Sequence, residues 1–158
     1  MAALTIMAEV AEGDFQTDIR PTPENQFPAL FDNHALYSPA GAFRFIFQLT
    51  DGNAVIQALD DTGYASGNNI DNPEGPTILG SHLPWVPIWS TGTQDISASR
   101  IQMQWDGNLV VITPNRAIGI SNTAGNQGAY LRMQDDGNLV VYSATNQALW
   151  ASNTNART

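Results

Sequence analysis

The sequence predicts an all-β protein built from three small antiparallel sheets around a pseudo-threefold axis. Three observations carry this: apolar residues alternate and β-branched residues cluster in short runs, turn residues recur roughly every ten positions, and an Asp-Gly-Asn triplet returns three times. The triplets are centred in Thr50-Asp51-Gly52-Asn53-Ala54-Val55-Ile56, Trp105-Asp106-Gly107-Asn108-Leu109-Val110-Val111 and Asp135-Asp136-Gly137-Asn138-Leu139-Val140-Val141. Repeats this short cannot bury a core alone and must pack against their copies. A β-trefoil or a sandwich would satisfy the same pattern.

Along the chain, Leu4, Ile6, Ala8 and Val10 alternate as a strand does, and the absence of a basic flank argues against a signal peptide. Glu12 to Asn33, with Pro21, Pro23 and Pro28, is expected to cover one end of the assembly, within an N-terminal extension spanning residues 1–35. Asn108 and Asn138 are 30 residues apart, whereas Asn53 and Asn108 are 55 apart, so the first repeat carries an insertion. It is placed at residues 57–87, where strand periodicity gives way to Gly, Pro and Asn. Ile88-Trp89-Ser90-Thr91 after the first copy echoes Leu149-Trp150-Ala151-Ser152-Asn153-Thr154 after the third. In the second, Gly119 stands where a tryptophan would. Trp89 and Trp150 are expected in the centre, where sheets meet. Trp105, beside a turn, is a candidate for an exposed stacking residue.

At 158 residues the chain is expected to form one domain. Its formal charge of −9 would repel a phosphate backbone, which argues against nucleic-acid partners. No uncharged run is long enough to span a bilayer, so no membrane insertion is expected. Without cysteine there is no disulfide framework and no thiolate metal site. Together with the missing signal peptide, this suggests a cytoplasmic or non-classically secreted protein. His34 and His82 have no partner at metal-ligand spacing, and no cofactor is expected.

Chemistry concentrates in the third copy, where Gln134, Asp136, Asn138, Val140 and Tyr142 follow one another at every second position. On a straight strand they would spread over ~26 Å, too far to meet one monosaccharide, so the chain must bend at Asp-Gly. A two-residue hairpin would put Gln134 and Val140 on opposite faces, which leaves the register open. Brought together, a carboxylate, two amides and a phenol match the donors and acceptors of neighbouring hydroxyls, and Val140 offers an apolar surface to a ring. Nothing in the cluster activates a nucleophile. Asp-Gly-Asn by itself is only turn chemistry; Gln134 and Tyr142 in frame are what make it a ligand cluster. Asp60-Asp61 and Asp135-Asp136 are poor glycosidase pairs, because adjacent strand residues point to opposite faces. The turn also lacks the further acidic ligands that calcium requires.

The pattern Gln-x-Asp-x-Asn-x-Val-x-Tyr, followed some eight residues later by Trp-Ala-Ser-Asn-Thr, resembles the bulb-type mannose-binding lectins of the snowdrop-like family. The resemblance runs from about Leu36 to Thr154 and includes Ser38-Pro39-Ala40-Gly41 and the strand Phe43 to Gln48. It implies a β-prism II fold of three four-stranded antiparallel sheets and metal-free binding of α-mannose in glycans. By resemblance, Asp136 and Asn138 hold O2, Gln134 binds O3, Tyr142 binds O4 and Val140 packs on the ring. Gln104, Asp106, Asn108 and Val110 repeat the pattern in the second copy, where Ile112 replaces the tyrosine and should weaken the site. In the first copy Leu49 takes the glutamine's place, Gln48 fits only with a one-residue bulge, and Gln57 replaces the tyrosine; Asp51, Asn53 and Val55 are expected to be structural. The resemblance also implies, for plant members, a disulfide with one cysteine between the Asp and the Asn of the motif, a place that Gly52, Gly107 and Gly137 take in this chain. A homodimer formed by exchange of C-terminal strands, with Leu149 to Thr158 as the exchanged tail, is also implied. The competing reading is a protein-interaction or bacteriocin-like antibacterial protein, with degenerate sugar sites and the insertion as its contact surface.

Overall fold

The computed structural model describes residues 16–59 and 84–155, and among these it forms twelve strands and no α-helix. Three four-stranded antiparallel sheets result. The first joins β3 (Ala35–Tyr37), β4 (Phe43–Gln48), β5 (Asn53–Leu59) and β6 (Trp85–Ser90). The second joins β2 (Ala29–Leu30), β7 (Arg100–Met103), β8 (Leu109–Ile112) and β9 (Ala117–Gly119). The third joins β1 (Asp18–Ile19), β10 (Tyr130–Met133), β11 (Leu139–Tyr142) and β12 (Ala148–Ala151). Each triplet thus turns the chain between the two middle strands of a sheet.

Strand alternation sends every second residue inward, and the cross-strand register aligns those residues into rows. One row per sheet runs Leu36, Phe45, Ile56, Trp89; Leu30, Ile101, Val111, Ile118; and Ile19, Leu131, Val141, Trp150. All belong to one hydrophobic cluster, with Trp89 and Trp150 meeting edge to face at 5.8 Å between ring centroids. The two tryptophans therefore sit where the repeat pattern puts them. The row position in the second sheet is filled by Ile118, however, and not by Gly119: one extra residue before Ser121 shifts the ladder, so that Val111 pairs with Ile118 and Val110 with Gly119.

The N-terminal segment has a larger role than covering an end. Residues 18–37 supply the outer strand of all three sheets in turn, each contributing one inward aliphatic side chain: Ile19, Leu30 and Leu36. Burial of one such side chain contributes ~2 kcal/mol, against about 1 kcal/mol for a net backbone hydrogen bond, so in the two-residue strands β1 and β2 the single apolar anchor weighs about as much as two ladder bonds. At the first repeat, Gln57 to Leu59 and Trp85 to Pro87 continue strands β5 and β6, inside the stretch read from sequence as loop. The rest of that insertion, the strand expected at Met1 to Val10, and the last three residues of the tail lie outside the described residues. Strand β12 pairs with β11.

Candidate functional site

The register of the third sheet settles which residues of the candidate cluster meet. Gln134 N–H donates to Asn138 O at 3.0 Å and Gly137 N–H donates to Gln134 O at 3.0 Å, so three residues, Asp135 to Gly137, make the turn. Arg132 then pairs with Val140, and Tyr130 with Tyr142. Gln134, Asn138, Val140 and Tyr142 consequently share the outer face, opposite the fully buried Met133, Leu139 and Val141, with Asp136 at the turn. A three-residue turn removes the conflict that a two-residue hairpin would create. Gln134 Nε2 donates to the Tyr142 hydroxyl, the Tyr142 ring stacks on Tyr130 at 5.5 Å, and Val140 forms a nearly closed floor, 3 % exposed.

Asp136 and Asn138 also hold the corner together. Asp136 Oδ1 accepts from Asn138 N–H at 2.9 Å, while Asn138 Oδ1 accepts from Asn153 N–H at 2.9 Å, Thr154 N–H at 3.3 Å and the Ser152 hydroxyl at 3.3 Å. The Thr154 hydroxyl donates to Gly137 O. The same arrangement recurs at Asp106, Asn108, Ser121 and Thr123, and at Asp51, Asn53, Thr91 and Thr93. Three-fold recurrence of Asp-Gly-Asn therefore has a structural cause. Yet each side chain spends only one end on the fold, leaving Asp136 Oδ2 and Asn138 Nδ2 for hydroxyls. Thr154→Val is expected to cost about 1–2 kcal/mol by stranding the Gly137 carbonyl. Urea denaturation checks this, and an unchanged midpoint would mean that the hydroxyl bears no load.

In the second sheet Gln104, Asn108 and Val110 occupy the matching outer face, with Asp106 in the turn and Ile112 where the phenol would be. A methyl group on Gly119 would stand 2.9 Å from Asn122 Oδ1 and 3.6 Å from Asn108 Nδ2, so the chain's own Asn122 amide crowds this face. In the first sheet it is Gln48, not Leu49, that stands opposite Asn53 as Gln134 stands opposite Asn138. The turn there is one residue longer, and Leu49 projects from it, 45 % exposed. A cleft of about 400 Å³ lies over Gln48, Asn53, Val55 and Gln57, whose amide oxygen accepts from Arg44 Nε at 2.6 Å. Trp105 is half-buried, with its backbone bonded to Gln26 and Gly128, rather than a free platform.

Arg132 escaped notice in the sequence. Lying two positions before Gln134 on a strand, it must share that residue's face, which is the only signal that could have found it. Among the described residues no group of three or more acidic, His or Cys side chains is placed to hold a metal.

Three four-stranded antiparallel sheets, each turning on an Asp-Gly-Asn corner and packed around one core, define the β-prism II class of protein. No family model and no curated protein matches the chain. Solved structures do. The Marasmius oreades lectin is 26% identical over 89% of this chain and 93% of its own, with a TM-score of 0.62. A monomeric monocot mannose-binding lectin from Gastrodia elata is 28% identical over 88% of this chain and 98% of its own, at 0.59. The mannose-specific agglutinin of snowdrop, Galanthus nivalis, solved with methyl-α-D-mannoside, is 28% identical over 88% and 97%, at 0.53. In fold the chain is accordingly bulb-lectin-like.

Proposed function

We propose that this protein is a metal-independent, non-enzymatic lectin that binds α-mannose in glycans, chiefly through its third repeat. The observation that carries the reading is the convergence of Gln134, Asn138, Val140 and Tyr142 on one outer face, with Asp136 at its corner and Gln134 touching Tyr142. Vicinal hydroxyls of a pyranose would exchange with that Gln–Tyr hydrogen bond, and the Val140 floor would meet the ring's C–H face. The second repeat offers the same amides without the phenol and is the weaker site. Mannose as the ligand is supported by the binding named for the Gastrodia and snowdrop proteins.

Calorimetric titration with methyl-α-mannoside, with and without EDTA, tests this. Binding is expected to be insensitive to EDTA, and Tyr142→Phe should weaken it roughly five- to tenfold by deleting one hydroxyl hydrogen bond. An absence of heat at millimolar sugar would sink the mannose reading while leaving the fold untouched.

A further inference from the structure

We propose that the cleft between strands β1 and β2 is a second carbohydrate subsite, continuous with the third-repeat face, that takes a further hexose of the same glycan. The inference rests on the third-repeat reading above. The cleft encloses about 510 Å³, within the range of small-ligand sites, and its lining mixes Gln16, Asp18, Arg20 and Asn25 with the rings of Phe27 and Phe31.

Two features mark it as built for a ligand. Phe27 and Phe31 are 57 % and 46 % exposed, the two most exposed of the large hydrophobic side chains among the described residues. Phe27 is nevertheless held on a fixed backbone, because the carbonyls on either side of it, Gln26 and Pro28, accept from Trp105 N–H at 2.8 Å and Met103 N–H at 2.9 Å. Phe31 is braced by an edge contact with His34 at 6.3 Å and by the Arg100 guanidinium 6.0 Å from its centroid. Solvent-facing rings carried on an ordered backbone are what the apolar face of a pyranose stacks on, and the backbone's share of the ordering cost is already met before binding.

The polar wall is ordered too. Asp18 Oδ2 accepts from Arg20 Nε at 3.1 Å and from an Arg132 guanidinium nitrogen at 3.0 Å, while the Arg20 guanidinium lies 3.8 Å over the Tyr130 ring. Asp18 Oδ1 and the remaining N–H groups of Arg20 are then left as acceptor and donors for adjacent hydroxyls. The one carboxylate thus holds two guanidiniums in place, fixing the donors and acceptors of the wall before a ligand arrives.

Continuity with the third-repeat face follows from the register. Asp18 pairs with Arg132, and Arg132 with Val140, the proposed floor of the sugar site. Asp18 thus lies two interstrand spacings, ~9.6 Å, from Val140 on the same face, within reach of a later residue in a linked chain. Arg20 similarly flanks Tyr130, which stacks on Tyr142.

Calorimetry with methyl-α-mannoside and a linear α-mannotriose on wild type, Phe27→Ser, Arg20→Gln and Asn138→Asp decides the matter. The trisaccharide is expected to bind wild type at least about tenfold tighter than the monosaccharide. Phe27→Ser and Arg20→Gln should each erase most of that gain while leaving monosaccharide affinity within about twofold, since both side chains stand outside the third-repeat cluster. Monosaccharide binding with no gain for length, or a gain that survives both substitutions, overturns the subsite and spares the third-repeat reading. Trisaccharide binding that depends on Phe27 and Arg20 but not on Asn138 upholds the cleft and overturns the third-repeat reading. No binding of either sugar overturns both.

Discussion

Replacing Asn138 with alanine is expected to abolish detectable binding of methyl-α-mannoside and to destabilise the protein by about 1–3 kcal/mol at once. The two losses have different origins in one side chain. Its Oδ1 accepts from Asn153 and Thr154 N–H and from the Ser152 hydroxyl, so truncation strands donors at the corner that closes the third sheet. Asn138 shares the outer face with Gln134 and Tyr142, and its Nδ2 is the donor left for the proposed sugar hydroxyl. Asn138→Asp separates them. The aspartate retains an oxygen for the corner, loses the amide donor and sets a second carboxylate beside Asp136, so affinity should fall at least about tenfold with little change in the melting temperature. Asn53→Ala supplies the converse, since Asn53 makes the same corner with Thr91 and Thr93. It should lose comparable stability and leave third-repeat binding intact. Wild-type affinity in Asn138→Asp would show that the amide nitrogen touches no ligand.

Gly107→Ala should be the most destabilising of the small substitutions, at about 3 kcal/mol or more. Gly107 has φ +97°, and an added methyl would stand 2.3 Å from the Asn126 carbonyl oxygen and 2.8 Å from its carbon. Those atoms cannot easily withdraw, because Gly125 and Asn126 N–H both donate to Asp106 O in the same turn. Gly92→Ala provides the comparison: φ is +69° there, but no atom lies within 4 Å of the new methyl, so only the backbone term of about 1–2 kcal/mol remains. Equal losses in urea denaturation for the two variants would show that packing of the second turn against Asn126 contributes nothing. Gly137 and Gly52 are wedged in the same way, against Phe43 and Ala98, and each corner closes on its neighbour.

The Asp-Gly-Asn corners, the alternating inner residues and the paired Trp89 and Trp150 were legible because they are local: period-two burial and turn chemistry follow from residue types a few positions apart. The Gln-x-Asp-x-Asn-x-Val-x-Tyr spacing was legible for the same reason. Gln48 was harder, since identifying it required knowing that the first turn is one residue longer than the others. Gly119 was misplaced because a single extra residue before Ser121 changes the ladder partner of Val111 without disturbing the hydroxyl that caps the corner.

Residue order alone was sufficient for the β class, the threefold repeat and the composition of one polar cluster, since each is written in spacing along the chain. It could not reveal that residues 18–37 thread an outer strand through every sheet. Strands of two or three residues carry no readable periodicity, and their places depend on Ile19, Leu30 and Leu36 finding partners about 10 to 110 positions away. Nor could it bring Asp18 beside Arg132, or Arg20 over Tyr130, because those contacts exist only once distant segments share a face. Local periodicity sets what each strand buries; the register between distant strands, fixed by packing, sets which outward side chains meet a ligand together.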